Sequence, residues 1–140
     1  MSLILNSKIV FLELFVSKNK SLRVDKGNKV RDPIFLEEIQ NQTVSEGRNV
    51  RFACRVDNLG SHKVAWTHDE THMILTISNH VITINQRIAV SHDEHEKTWY
   101  LHISEARETD SGKYMCQINT ASAMTIAGYL TVVAMKECLN

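Results

Sequence analysis

From Pro33 onward the chain breaks into short runs in which apolar and polar residues alternate, separated by turn residues at the spacing of an all-β sandwich. In NVRFACRV, Val50, Phe52, Cys54 and Val56 share one face of an extended strand and Arg51 and Arg55 the other, because successive side chains of a strand point to opposite sides. KVAW groups Val64 with Trp66 and leaves Ala65 and Thr67 opposite. WYLHI sets Trp99, Leu101 and Ile103 against Tyr100 and His102. KYMCQIN turns Tyr114, Cys116 and Ile118 one way and Met115, Gln117 and Asn119 the other, and YLTVV turns Leu130 and Val132 inward. No 3.6-residue helical pattern is sustained here. An apolar face on every strand needs a second sheet to cover it. Between Trp66 and Arg87 two further β-rich pieces, 73–77 and 80–84, flank Ser78-Asn79 and bring the expected count to about nine strands.

Two of the inward positions are cysteines, Cys54 and Cys116, on different strands, and Trp66 lies on the strand after the first of them. A large indole beside an inter-sheet disulfide is the core of an immunoglobulin sandwich, and the extra hairpin makes it the variable type. The bond requires an oxidising compartment, so the chain is expected outside the cytosol, secreted or at the cell surface. Tyr114, two before Cys116, is placed to bond its hydroxyl back to the chain at the preceding corner. Gly112 permits a positive φ or a close backbone approach in the turn, and Asp110 is the expected partner of Arg87. These five residues, Trp66, Tyr114, Arg87, Asp110 and Gly112, are read as architecture.

Composition narrows the function. In 140 residues, 16 basic and 16 acidic side chains cancel, which argues against a nucleic-acid groove. No run of about 20 apolar residues is present, so direct membrane insertion by this chain is not expected. The apolar start MSLILNSKIVFLELFV is interrupted by Lys8 and Glu13 and lacks a small-residue cleavage site. Residues 1–32 are read as a leader or disordered linker, 33–133 as the domain and 134–140 as a tail. Cys138 is left over from the expected pair. Asn41-Gln42-Thr43 is a glycosylation sequon beside a strand, and Asn19-Lys20-Ser21 is a second in the leader or linker.

VDNLGSHKVAW, ILTISNHVITINQRI, TWYLHI, YMCQINT and GYLTVV follow one another as in the first immunoglobulin domain of arthropod neuronal adhesion proteins. The chain resembles the lachesin and Dpr-interacting group, with vertebrate neurotrimin-like proteins more distant, across 33–133. Ala121-Ser122 stands where that group has Asp-Pro, and the group continues into two more immunoglobulin domains and a membrane anchor. The resemblance implies adhesion or synaptic-partner recognition, in which the outward side of strands G, F, C, C′ and C″ meets another immunoglobulin domain, of the same or a different chain.

The residues point to the same side. Its mid-strand positions are small or neutral, and no Lys, Arg, Asp or Glu occurs from Met73 through Gln86, whereas sheet edges are usually blunted by charge. The expected partner-binding set is Ala65, Thr67, Ile74, Thr76, Ile77, His80, Val81, Met115, Gln117 and Asn119. Alternation alone does not sort Ile74 and Thr76 from Leu75 and Ile77. Two other readings compete: a truncated soluble decoy or nonfunctional fragment, and a metal-binding protein built on HDETH (68–72) or SHDEH (91–95). A zinc protease needs Glu directly after the first His, on a helix. Asp69 stands there instead, in an expected turn. With no nucleophile elbow or phosphate loop in the chain, neither catalysis nor a cofactor is expected.

Overall fold

The computed structural model describes residues 31–135. The leader reading, Asn19 and Cys138 fall outside the described residues. Ten strands form two sheets: β1 (Ile34–Phe35), β2 (Gln42–Ser45), β3 (Val50–Asp57), β4 (Val64–His68), β5 (Met73–Ile77), β6 (His80–Val81), β7 (Ile88–Asp93), β8 (Thr98–Ile103), β9 (Gly112–Ile118) and β10 (Met124–Val133). One sheet runs β1-β3-β8-β7 and the other β2-β10-β9-β4-β5-β6, so β4, β5, β6, β9 and β10 are the C, C′, C″, F and G strands of the expected sandwich. The first strand is divided between the sheets, which accounts for ten strands rather than nine. At the crossing Ile39 is buried against Gly128 of β10, where any Cβ would strike the Ile39 side chain. β2 then runs parallel to β10, from Gln42 opposite Leu130 to Ser45 opposite Val133.

Between the sheets lie Phe52, Trp66, Leu101, Ile103, Tyr114, Ile118 and Leu130, all inward positions of the alternation. Cys54 and Cys116 are bonded across them and separated by 62 positions. Closing a loop of that length in the unfolded chain contributes roughly 4 kcal/mol in the chain-entropy account. Phe52 bridges the indole and the phenol, with centroids 6.4 Å from Trp66 and 5.3 Å from Tyr114.

The corner before β9 is held as its residues imply. The Tyr114 hydroxyl donates to the Asp110 carbonyl at 2.6 Å, and burial raises the Tyr114 pKa so that it stays a donor. Arg87 donates through both terminal nitrogens to Asp110, at 2.6 and 2.8 Å, and also to the carbonyls of Ser104 and Glu105. Asp110 accepts a further bond from the Arg107 N–H at 2.7 Å, closing the short 3-10 turn Glu108–Asp110. Gly112 has φ +137°, and a Cβ there would lie 2.8 Å from His68 Nε2 and against Glu70.

The C″ strand is shorter than expected. After His80–Val81 the N–H groups of both Ile82 and Thr83 turn onto one acceptor, the Leu75 carbonyl, which ends the ladder.

Candidate functional site

The outward side of the six-stranded sheet is ordered in rows set by register. Thr125, Gln117, Ala65, Ile77 and His80 lie side by side across β10, β9, β4, β5 and β6. Ala127, Met115, Thr67 and Ile74 form the next row. Neither row contains Lys, Arg, Asp or Glu. The other sheet's outward side carries Arg51 and Arg55, already engaged within the fold. Arg51 lies 4.4 Å over the Tyr100 ring, and Arg55 bonds Glu37 at 2.9 Å and approaches Glu96 at 3.8 Å. The two uncharged rows are therefore electrostatically unlike the outward side of the other sheet, and charge on their own sheet begins only in the next row, at Lys113 opposite Tyr129.

A bulge in β5 decides which side chains join the rows. Trp66 pairs with Thr76 and Thr67 with Ile74, so Leu75 is an extra residue between two ladder pairs. Ile74 and Ile77 thereby face outward together, while Leu75 joins the core. Thr76, opposite the inward Trp66, is fully buried and its hydroxyl has no partner among the described residues. Thr76 is thus removed from the expected binding set, because the bulge turns it inward. Val81 is paired with Thr76 and so lies on that side of the ladder, although it is 44% exposed at the sheet edge.

Two further members of the set are in other roles. Ala65 faces outward but is 0% exposed, covered by a small apolar cluster in which Ile77 (2% exposed) packs with Ile74 and Ile82. A side chain of one carbon lies below the reach of its neighbours, so Ala65 supports the surface without forming it. Asn119 lies past the end of β9, where its carboxamide accepts the Lys63 N–H at 2.7 Å and its own N–H donates to the Lys63 carbonyl. It fastens the entry to β4. Thr67, Met115 and Gln117 are half-buried and His80 is exposed on the outward side.

The alternation also missed three residues that complete the surface. Ile82, after β6, packs against the Ala65–Ile77 cluster, and Thr125 and Ala127 extend the rows onto β10. The MTIAG alternation ahead of YLTVV carries the signal for the last two, since Met124 and Ile126 pack against the core.

The histidine motifs are dispersed. His68 ends β4 rather than lying in a turn, and it stacks inward on Tyr114 at 4.3 Å, whereas His72 is exposed in the turn that follows. His92 stacks on Trp99 at 3.9 Å, and His95 is exposed between β7 and β8. Among the described residues no three His, Cys, Asp or Glu side chains come together as a metal site would need.

Burial lowers the pKa of His68 from 6.5, against the opposing pull of the Ser111 carbonyl and the Asp110, Glu70 and Asp69 charges. His102 is lowered by burial and then by Arg51. A histidine whose folded pKa lies below its unfolded value binds fewer protons in the fold, so stability is full above about pH 6.5 and falls as pH drops from there towards the folded pKa. Urea melts from pH 8 to 5 are expected to show this decline, and His68→Phe, which keeps a ring on Tyr114, to remove part of it. An unchanged slope in His68→Phe would reject the assignment.

The model of the immunoglobulin I-set domain matches residues 33–127. The chain belongs to the immunoglobulin I-set family. As an I-set domain it is 34% identical over 80 residues to the Zwei Ig domain protein zig-8 of Caenorhabditis elegans, an alignment covering 57% of this chain and 30% of that protein. It is 27% identical over 89 residues to lachesin of Drosophila melanogaster, covering 63% of this chain and 25% of that protein. The chain thus spans less than a third of the length of these relatives. Among solved structures, the complex of Dpr1 IG1 bound to DIP-eta IG1 contains a chain 47% identical to it, with a TM-score of 0.72, covering 76% of this chain and 100% of that one. The resemblance to first immunoglobulin domains of neuronal adhesion proteins is borne out, and so is the all-β sandwich.

Proposed function

We propose that this I-set domain is a recognition module, working outside the cytosol in cell adhesion or partner selection, that pairs its outward β10-β9-β4-β5-β6 surface with the like surface of another immunoglobulin domain. The observation that carries this is the pair of uncharged rows, with the Ala65–Ile77 apolar cluster packed within them, on a sheet whose opposite number is charged and self-satisfied. Docking centred on these two rows strands no ion, and their apolar area supplies the driving force. The disulfide supports the compartment. The similar domain in the Dpr1–DIP-eta complex, itself bound to another immunoglobulin domain, supports the class of partner. The role assigned is binding, with no catalytic step.

The purified chain titrated against Dpr1 IG1, DIP-eta IG1 and a second copy of itself is expected to form a 1:1 complex with at least one. The negative heat-capacity change of apolar burial should accompany it. No association with any of the three at about 100 μM, a concentration that reveals even weak pairing, would count against the proposal.

A further inference from the structure

We propose that Asn41 carries an N-linked glycan whose first N-acetylglucosamine is seated on Tyr129. The sequon Asn41-Gln42-Thr43 opens β2 at the margin of the six-stranded sheet, and Asn41 and Thr43 are both exposed. The Asn41 side chain is held in place. Its Oδ1 accepts the Tyr129 N–H at 2.9 Å, across 88 positions, and stands in for a backbone acceptor where the chain arrives from the crossing at Ile39. With the carbonyl end fixed on β10, the Nδ2 that receives the sugar is the other end of the carboxamide. It makes no hydrogen bond among the described residues.

Beside it is a shallow cleft of about 330 Å³, lined by Glu38, Ile39, Asn41, Ile126, Ala127 and Tyr129. Its composition suits a sugar: its lining combines a half-exposed tyrosine, the apolar side chains of Ile39, Ile126 and Ala127, and the carboxylate of Glu38. A pyranose presents a face of C–H groups that packs on an aromatic ring and a perimeter of hydroxyls that bond at a polar rim. An exposed tyrosine on a strand otherwise flanked by Ala127 and Thr131 thereby gains an occupant. Ala127 begins the second outward row, so a glycan kept on Tyr129 borders the outward surface without lying across its centre. The inference stands independently of any partner.

The test expresses the full chain behind an added secretion leader in glycosylating cells, with Ser21→Ala to silence the other sequon. With a mannosidase inhibitor keeping its glycans high-mannose, endoglycosidase H then trims the product to one N-acetylglucosamine. Peptide mass mapping should find that sugar on Asn41. The trimmed protein should melt about 4 °C above Thr43→Ala, which lacks the sequon but keeps the Asn41–Tyr129 bond. The difference should persist in Tyr129→Phe and vanish in Tyr129→Thr, a β-forming replacement at an outward, half-exposed position. An unmodified Asn41 would overturn the proposal. So would a melting difference that is absent with Tyr129 in place, or equal in the Tyr129 and Tyr129→Thr backgrounds.

Discussion

Gln117→Arg is expected to weaken pairing by at least about 30-fold, the equivalent of 2 kcal/mol, and to leave the free domain as stable as before. Gln117 lies in the first row, half-buried between Thr125 and Ala65. In the free domain a guanidinium there can extend into water, so melting should move by no more than about 2 °C. On docking it would be pressed against a neutral surface that offers no acid, and a stranded charge costs several kcal/mol. Ile77→Asp behaves differently. Ile77 is 2% exposed over Ala65, so its replacement puts a carboxylate inside an apolar cluster and unfolds the β5–β6 edge before any partner is met. Calorimetric titration with the three probe domains, alongside thermal melts of each variant, separates the two effects. Wild-type affinity in Gln117→Arg would move the binding surface elsewhere.

Asp110→Ala should cost about 3 kcal/mol of stability, the usual price of breaking a buried ion pair from one side. The side chains of Arg87 and Asp110 are 16% and 10% exposed, and removing the carboxylate also strands the Arg107 N–H. Urea melts at pH 7 measure the loss. The pH dependence supplies a second check through Asp110→Asn. Burial pushes the Asp110 pKa up, but the bonds from Arg87 and Arg107 and their charges outweigh it and hold the carboxyl below 3.8. A carboxyl depressed in the fold contributes stability above its unfolded pKa and loses it as pH falls through the folded one. The gap between wild type and Asp110→Asn should therefore be full at neutral pH and close only below about pH 3.8. A gap that closes near pH 5 would assign the linkage to another group.

Much of this was legible because strand alternation and disulfide chemistry act locally. Cys54, Trp66, Tyr114 and Cys116 announce the sandwich by their side-chain direction, and the Arg87–Asp110 pair follows from where the corner must be. The edge hairpin was opaque. In MILTI every residue tolerates either environment, so nothing in the run marks where alternation skips, and the Leu75 bulge settled the fates of Ile74, Thr76 and Ile77. The cover over Ala65 and the bond to Asn119 are not legible for a related reason. Pattern gives the direction of a side chain but not what lies over it, and Ile77 and Lys63 belong to other segments. The Asn41–Tyr129 bond spans nearly the whole domain and has no local trace.

The parallel pairing of β2 with β10 has a mechanical consequence. Because the strands run the same way, tension applied at Gln42 and at Val133 pulls them in opposite directions along their common axis. The ladder from Gln42–Leu130 to Ser45–Val133 is then loaded in shear, with all its hydrogen bonds strained together, whereas an antiparallel pair held at one end would open bond by bond. A cell contact transmitting force through this domain would meet that patch as its clamp. Single-molecule extension should show one high-force rupture, and Val44→Pro, which removes a donor from the middle of the patch, should lower it.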